Sequence, residues 1–281
     1  MPLFRPLLSL AAAAMSILLV SPSIASEPVA IDITSHDRTY RIWELAIGEE
    51  PVDGYPLVVL LDGNQMLPIA ARIAAEDGRP RLLVAIGYPE DDRETIVKRR
   101  YFDLTPLTPS ELLPESRSGG LVQAGGQDDF TAMLKGTILP GVLERHRIDK
   151  ADTTLFGHSL SGMAALRMLF DHTWPFATYV AADPSIWWKN SAILSELDAF
   201  EAAPRTEAER LTIITSGVRP ERKDVSTQAN ARMRALRGGP NGKDVAERMA
   251  KIEGLSVDLH PMPNESHGSM VEPSLRLLLT R

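Results

Sequence analysis

Cysteine is absent from the 281 residues. That excludes disulfides and any structural zinc held by thiolates. An exported protein of this size does not need disulfides, and a bacterial periplasm tolerates their absence. Other ligand patterns are missing too: there is no H-x-x-x-H pair and no Gly-rich phosphate loop, so neither a metal nor a cofactor is expected. Cationic residues are in deficit, 30 Lys and Arg against 37 Asp and Glu, for a net charge of −7. This argues against general binding to nucleic acid or to an anionic membrane, while leaving room for a local basic pocket. Internal repeats and low-complexity segments are also lacking.

Long apolar runs are lacking with one exception, Leu7 to Val20. It follows a short segment whose only charge is Arg5, and it precedes Ser21-Pro22-Ser23-Ile24-Ala25. Charge, short apolar run and small residues are the layout of a secretory signal peptide cut after Ala25. The run is short for a spanning helix. Residues 1–25 are therefore expected to be a signal peptide, 26–281 one domain, and the destination the periplasm, with no membrane insertion after cleavage. The composition, 44% hydrophobic and 24% charged, is that of a globular chain with a sizeable core.

Two strands, Val29 to Ile33 and Thr39 to Ala46, open the domain around a turn that holds His36. Pro56 to Asp62, PLVVLLD, carries a continuous apolar run, as a strand covered on both faces should, and Arg81 to Gly87 reads as another buried strand, with a helix over Met66 to Glu76 between them. A strand-helix-strand unit implies a parallel sheet. Asp91 to Gln127 shows little apolar periodicity and three prolines, and reads as a long loop, either solvated or a substrate lid. The next helix starts near Gln127, with Pro140 expected to kink or break it. Further strands fall at Thr153 to Phe156, Ala177 to Ala182, Leu211 to Ser216 and Leu255 to His260, with helices between and a last helix over Met270 to Leu279. The fold class is α/β: a mostly parallel central sheet with helices on both faces.

The chain is organised around Thr153 to Leu169, TTLFGHSLSGMAALRML. A strand, a tight turn with Ser159 at its tip and a helix with Met163, Leu166 and Leu169 on one face form a nucleophile elbow. The turn needs small neighbours, and the helix N-terminus favours a developing oxyanion. The usual pattern is G-x-S-x-G; here Ser161 fills the fifth position, with Gly162 one later. Serine is small enough to keep strand and helix close.

A serine nucleophile needs a base, and histidine suits neutral pH. Of six histidines, His267 lies in the loop after the last strand, on the side where the elbow opens, and it completes the Ser…acid…His order of this fold. His158 should point away from the elbow; His36, His146 and His172 sit in turns or at helix ends. The acid is open among Glu221 and Asp224 after Leu211 to Ser216, Asp183 after the previous strand, and Glu265. Glu221 has the usual location and is preferred, and a site without an acid is an alternative. The oxyanion donors expected are the N–H groups of Leu160 and of Asn64, the latter beside Gly63, which lets backbone approach closely.

VVLLDGN (58–64), VAIGY (84–88), RRYFDLTP (99–106), GGQDDF (125–130), LFGHSLSG (155–162), DPSIWW (183–188) and SHGSM (266–270) occur in this order. Together they resemble the group of α/β-hydrolases that contains esterase D and the enterobactin esterases, and most of all its periplasmic siderophore esterases. The resemblance spans nearly all of residues 26–281. It implies hydrolysis of the ester bonds of a catecholate trilactone siderophore, iron-free or iron-loaded, so that iron is released. It places the nucleophile at Ser159 and the base at His267, and some relatives run on a Ser–His dyad. A ferric tris-catecholate is an anion, so an acidic protein would need a local clamp. Arg99 and Arg100 are candidates for it, and Trp187 and Trp188 for packing on aromatic rings. Two other readings stay open: a carboxylesterase for feruloyl, acetyl or other small esters, and a binding protein on an inactive hydrolase fold.

Overall fold

The computed structural model describes residues 27–115, 120–171, 173–203, 209–219 and 226–281. The expected signal peptide at 1–25 lies outside the described residues. One sheet holds the strands β1 (Val29–Ser35), β2 (Arg38–Ile47), β3 (Tyr55–Leu61), β4 (Arg81–Gly87), β5 (Ile148–His158), β6 (Thr178–Ala182), β7 (Glu209–Val218) and β8 (Leu255–Ser266), in the order β1-β2-β4-β3-β5-β6-β7-β8. β1 and β2 form a hairpin, β2 runs antiparallel to β4, and every later neighbour is parallel. The hairpin turn places His36 and Asp37 at φ 48° and 61°, the left-handed pair that matches strand twist in a two-residue turn.

Among the described residues, ten α-helices accompany the sheet: α1 (Gly63–Asp77), α2 (Arg93–Asp103), α3 (Gln127–Met133), α4 (Leu139–Arg145), α5 (Leu160–Phe170), α6 (Trp188–Ser191), α7 (Ile193–Ala202), α8 (Thr227–Leu236), α9 (Gly242–Met249) and α10 (Val271–Leu279). Side chains alternate across the sheet as strand geometry requires. Val59 and Leu155 face a core shared with Met133, Val142, Leu166, Leu197 and Met249. Leu60 and Phe156 face a second core built with Met66 and Ile73 of α1, Leu275 of α10 and its N-cap residue Met270. The mostly parallel α/β architecture with helices on both faces agrees with the sequence expectation.

Two local expectations are corrected and one is refined. The segment from Asp91 is not one long loop. Asp92 accepts a hydrogen bond from Thr95 N–H at 2.8 Å and so caps α2. Apolar periodicity missed this helix because only Asp103 among its residues is fully buried. At Pro140 the α-helix is interrupted as expected: the chain widens into a π turn over Leu134–Ile138, and Pro140 stands in the first turn of α4, where a missing N–H is tolerated. The last strand runs past His260 to Ser266 despite Pro261 and Pro263. β8 is an edge strand, and prolines are admissible there.

The parallel strands all end at one edge of the sheet. Leu60 pairs with Phe156, His158 with Ala182, and Ala182 with Ile214. Asp62, Ser159 and Asp183 follow directly at that edge, and all three have positive φ, 59°, 64° and 40°. Such backbone costs on the order of 1–3 kcal/mol per residue and clusters where function needs it.

Candidate active site

The elbow is built by close approach. Ser159 has φ 64° and ψ −115°, which turns its side chain out of the sheet. A Cβ on Gly157 would come within 2.1 Å of the Ser161 carbonyl oxygen, so only glycine permits the crossing of β5 and α5. Ser159 N–H donates to the Ala182 carbonyl at 2.9 Å, and its own carbonyl accepts from Met163 N–H and from Ser185 N–H, both at 3.0 Å. The serine is thus fixed by its own helix and by the loop after β6.

Three elements bring their side chains together at Ser159. Its Oγ lies 3.0 Å from His267 Nε2. His267 Nδ1 lies 2.5 Å from Asp183 Oδ2. Ser216 Oγ donates to Asp183 Oδ2 at 2.8 Å, and Arg219 Nη2 donates to Asp183 Oδ1 at 3.1 Å. Burial works against a charge on Asp183, but the hydrogen bond and charge of His267, with Arg219 and Ser216 beside it, outweigh burial and hold the carboxyl at about 2. An ionised acceptor at Nδ1 places the His267 proton there and leaves Nε2 to accept from the serine.

The carboxylate on His267 is therefore Asp183, a strand-end candidate that the sequence reading ranked behind Glu221. Glu221 and Asp224 lie outside the described residues, as does His172. The usual acid follows the strand after this one, and that location favours Glu221 on sequence alone. A signal for it was present in the dipeptide Asp183-Pro184 directly at a strand end. Ser185 was not singled out at all; its Oγ lies 3.3 Å from Ser159 Oγ.

His158 does not turn away from the base. Its Nε2 lies 2.8 Å from the His267 carbonyl oxygen, and the two rings are tilted at 4.6 Å between centroids. Burial, with the His267 ring and the Arg100 guanidinium beside it, pushes the His158 imidazole down to about 3.

α1 and α5 follow the neighbouring strands β3 and β5 and start at the same edge of the sheet, one on each face. The Leu160 N–H is the first of α5, where helices leave donors unpaired. The Asn64 side chain clamps the end of β4: Nδ2 donates to the Tyr88 carbonyl and Oδ1 accepts from Tyr88 N–H, both at 2.8 Å. Gly87 makes room for it, since a Cβ there would sit 2.2 Å from Asn64 Oδ1. The backbone N–H groups of Leu160 and Asn64 thus lie in the first turns of the helices that follow β5 and β3, at the sheet edge that carries Ser159.

The two arginines expected to clamp a substrate have partners within the fold. Arg99 donates to both oxygens of Glu90, at 2.9 and 3.0 Å, and lies 4.4 Å from the Tyr88 ring centroid. Arg100 donates to Asp62 Oδ1 at 2.7 Å and to the His158 carbonyl at 3.1 Å. Trp188 is buried, with Nε1 donating to Thr108 Oγ1. Trp187 is half-buried, and the Arg237 guanidinium lies 5.4 Å from its ring centroid.

An imidazole between a carboxylate and a serine hydroxyl, with that hydroxyl at a helix start, can generate an alkoxide and hold a tetrahedral oxyanion. Carried at the C-terminal edge of a mostly parallel sheet, the arrangement defines an α/β-hydrolase. Residues 46–237 match the model of the family described as "Putative esterase", and the chain belongs to that family: it is a serine hydrolase acting on ester bonds. Over 239 residues the chain is 32% identical to a siderophore enterobactin esterase of Emericella nidulans, covering 78% of each chain. Over 249 residues it is 27% identical to the ferri-bacillibactin esterase BesA of Bacillus subtilis, covering 84% of this chain and 82% of that one. Among solved structures, the siderophore hydrolase EstA from Aspergillus nidulans superposes with a TM-score of 0.74 at 25% identity, covering 96% of both chains.

Proposed function

We propose that the protein is a siderophore esterase that hydrolyses the ester bonds of a catecholate trilactone, iron-free or iron-loaded, after export to the periplasm. The observation that carries the chemistry is the pair of contacts made by His267, 3.0 Å to Ser159 Oγ and 2.5 Å to Asp183 Oδ2. The substrate class is supported by the relatives, which are esterases and hydrolases of siderophores. Export is supported by the charge, apolar run and small residues of 1–25, with 26–281 as the hydrolase domain. Among the described residues no helix is long and apolar enough to cross a membrane.

In the mechanism, His267 Nε2 takes the proton of Ser159 as Oγ attacks the ester carbonyl. The N–H groups of Leu160 and Asn64 bind the oxyanion. Asp183 keeps the His267 proton on Nδ1 and stabilises the imidazolium. His267 then returns the proton to the leaving alcohol, and water repeats the steps on the acyl-enzyme.

A second reading, a carboxylesterase for small neutral esters, is favoured by the internal partners of Arg99 and Arg100. One experiment separates them. The protein is mixed with iron-loaded or iron-free enterobactin, and products are read by mass spectrometry. Linear trimer, dimer or monomer in either sample, absent with Ser159→Ala, supports the siderophore esterase. Intact trilactone alongside cleavage of an aryl ester moves the substrate to small esters. Binding without any turnover refutes the esterase.

A further inference from the structure

Ser161 occupies the elbow position where the usual pattern has glycine, and its hydroxyl has defined partners. Oγ accepts from His158 N–H at 2.8 Å and lies 2.6 Å from Asp62 Oδ2, the nearer and charged acceptor for its single proton. The other oxygen of Asp62 accepts from Arg100 Nε at 2.7 Å, and Arg100 Nη2 donates to the His158 carbonyl at 3.1 Å. The ring Ser161–Asp62–Arg100–His158 therefore ties α5, the end of β3, α2 and the end of β5 to one carboxylate.

Asp62 is where that carboxylate acts. It is the last residue before α1, at φ 59°, and its carbonyl accepts from Gln65 N–H at 3.0 Å and Met66 N–H at 3.1 Å. Asn64, whose N–H is assigned to the oxyanion, stands two residues on. A Cβ on Gly63 would lie 2.9 Å from the backbone of Ile86, so this turn has little room to settle elsewhere. We propose that Ser161 and Asp62 are positioning residues, which lock the loop after β3 to the nucleophile elbow and so hold the Asn64 N–H at the distance the oxyanion requires. The inference rests on the serine-esterase assignment above and adds to it the reason for serine in place of glycine. Glycine at 161 would satisfy the steric need of the elbow but leave Asp62 tied to Arg100 alone. Asp62 would then reach the elbow only through Arg100, whose Nη2 donates to the His158 carbonyl, and the direct tie that fixes the loop against Ser159 would be gone.

The test is steady-state kinetics of the full chain on p-nitrophenyl acetate, with Ser161→Gly, Ser161→Ala, Asp62→Asn and the Ser161→Ala/Asp62→Asn double variant, and thermal melts of each. Ser161→Gly removes one hydroxymethyl group and restores the common pattern, so it keeps the fold. The expected result is a kcat lowered about tenfold in Ser161→Gly and Ser161→Ala with KM unchanged, a fraction of the roughly 10²–10³ lost when an oxyanion donor is removed outright. The double variant should be no worse than Asp62→Asn alone, because both changes break one contact. Lowered melting temperatures with kcat intact, or losses that multiply in the double variant, overturn the inference and leave the esterase assignment standing. A wild-type chain that neither turns over the ester nor is labelled at Ser159 by a fluorophosphonate overturns both.

Discussion

His158 and His267, 109 positions apart, meet with His158 Nε2 at 2.8 Å from the His267 carbonyl oxygen. A carbonyl only accepts, so the His158 ring carries its proton on Nε2, and a neutral imidazole is what this buried position holds. The residue before the nucleophile thereby fastens the backbone of the base. The stability of the protein inherits a pH dependence from it. The folded-state value of about 3 lies below the ordinary 6.5, so the unfolded chain binds the extra proton between these limits. Stability is fully present above 6.5 and falls with pH below it, by about 1.4 kcal/mol per unit at most, until about pH 3. His158→Gln can keep the donor to His267 but has no proton to gain. Its melting temperature should fall less than that of the wild type between pH 6.5 and 4.5; equal slopes would remove His158 from the account.

Asp183→Asn should lower kcat by about 10²–10⁴, because an amide at His267 Nδ1 can stabilise the wrong tautomer. Glu221→Gln should cost far less. Since Asp183 stays ionised down to about pH 2, the acid limb of the pH–rate profile does not belong to it. A profile measured on the wild type that tracks the Asp183 variant, or a larger loss at Glu221, would transfer the acid role.

Arg99 joins Glu90 to the Tyr88 and Tyr40 rings, at 4.4 and 5.0 Å from their centroids. Arg99→Ala should therefore lower unfolding stability by about 1–3 kcal/mol in a urea titration, through the lost ion pair and cation–π contacts. KM for a ferric catecholate should move no more than KM for a neutral aryl ester. A selective rise with the anionic substrate would return Arg99 to the binding site.

The sheet was legible because β3 and β4 carry unbroken apolar runs, Leu57–Leu61 and Leu82–Ile86, buried at every residue. The elbow was legible because its steric demands fall on adjacent residues, Gly157, Ser159 and Gly162. Asp183 was offered by the sequence but not chosen, since pairing an acid with His267 depends on where two loops meet across β6, β7 and β8. α2 stayed hidden because ion pairs, Arg99 to Glu90 and Arg100 to Asp62, hold it, and only the partly buried Ile96 and Tyr101 pack against the core, too narrow an apolar stripe to read.

Asn64 offers the sharpest test of the oxyanion side, because its amide uses both of its ends on one residue. Tyr88 is buried and offers a backbone donor and an acceptor, each 2.8 Å from the matching amide atom. Asn64→Asp keeps the shape and the bond from Tyr88 N–H, but it sets a carboxylate oxygen against the Tyr88 carbonyl. The variant should be less stable than the wild type by about 1–3 kcal/mol at pH 7, the cost of a buried carbonyl left without a donor. Protonation of the new carboxyl supplies that donor. Its folded-state pKa must then be raised, so the missing stability returns as pH falls through that value. The gap in melting temperature between wild type and variant should narrow from pH 7 to pH 5, in the direction opposite to the acid loss caused by His158, which both proteins share. The kcat on an aryl ester should fall with KM unchanged, since the oxyanion contact proposed for Asn64 N–H acts only as charge develops on the oxygen. A gap that is constant with pH would show that the clamp on Tyr88 is not what holds this loop.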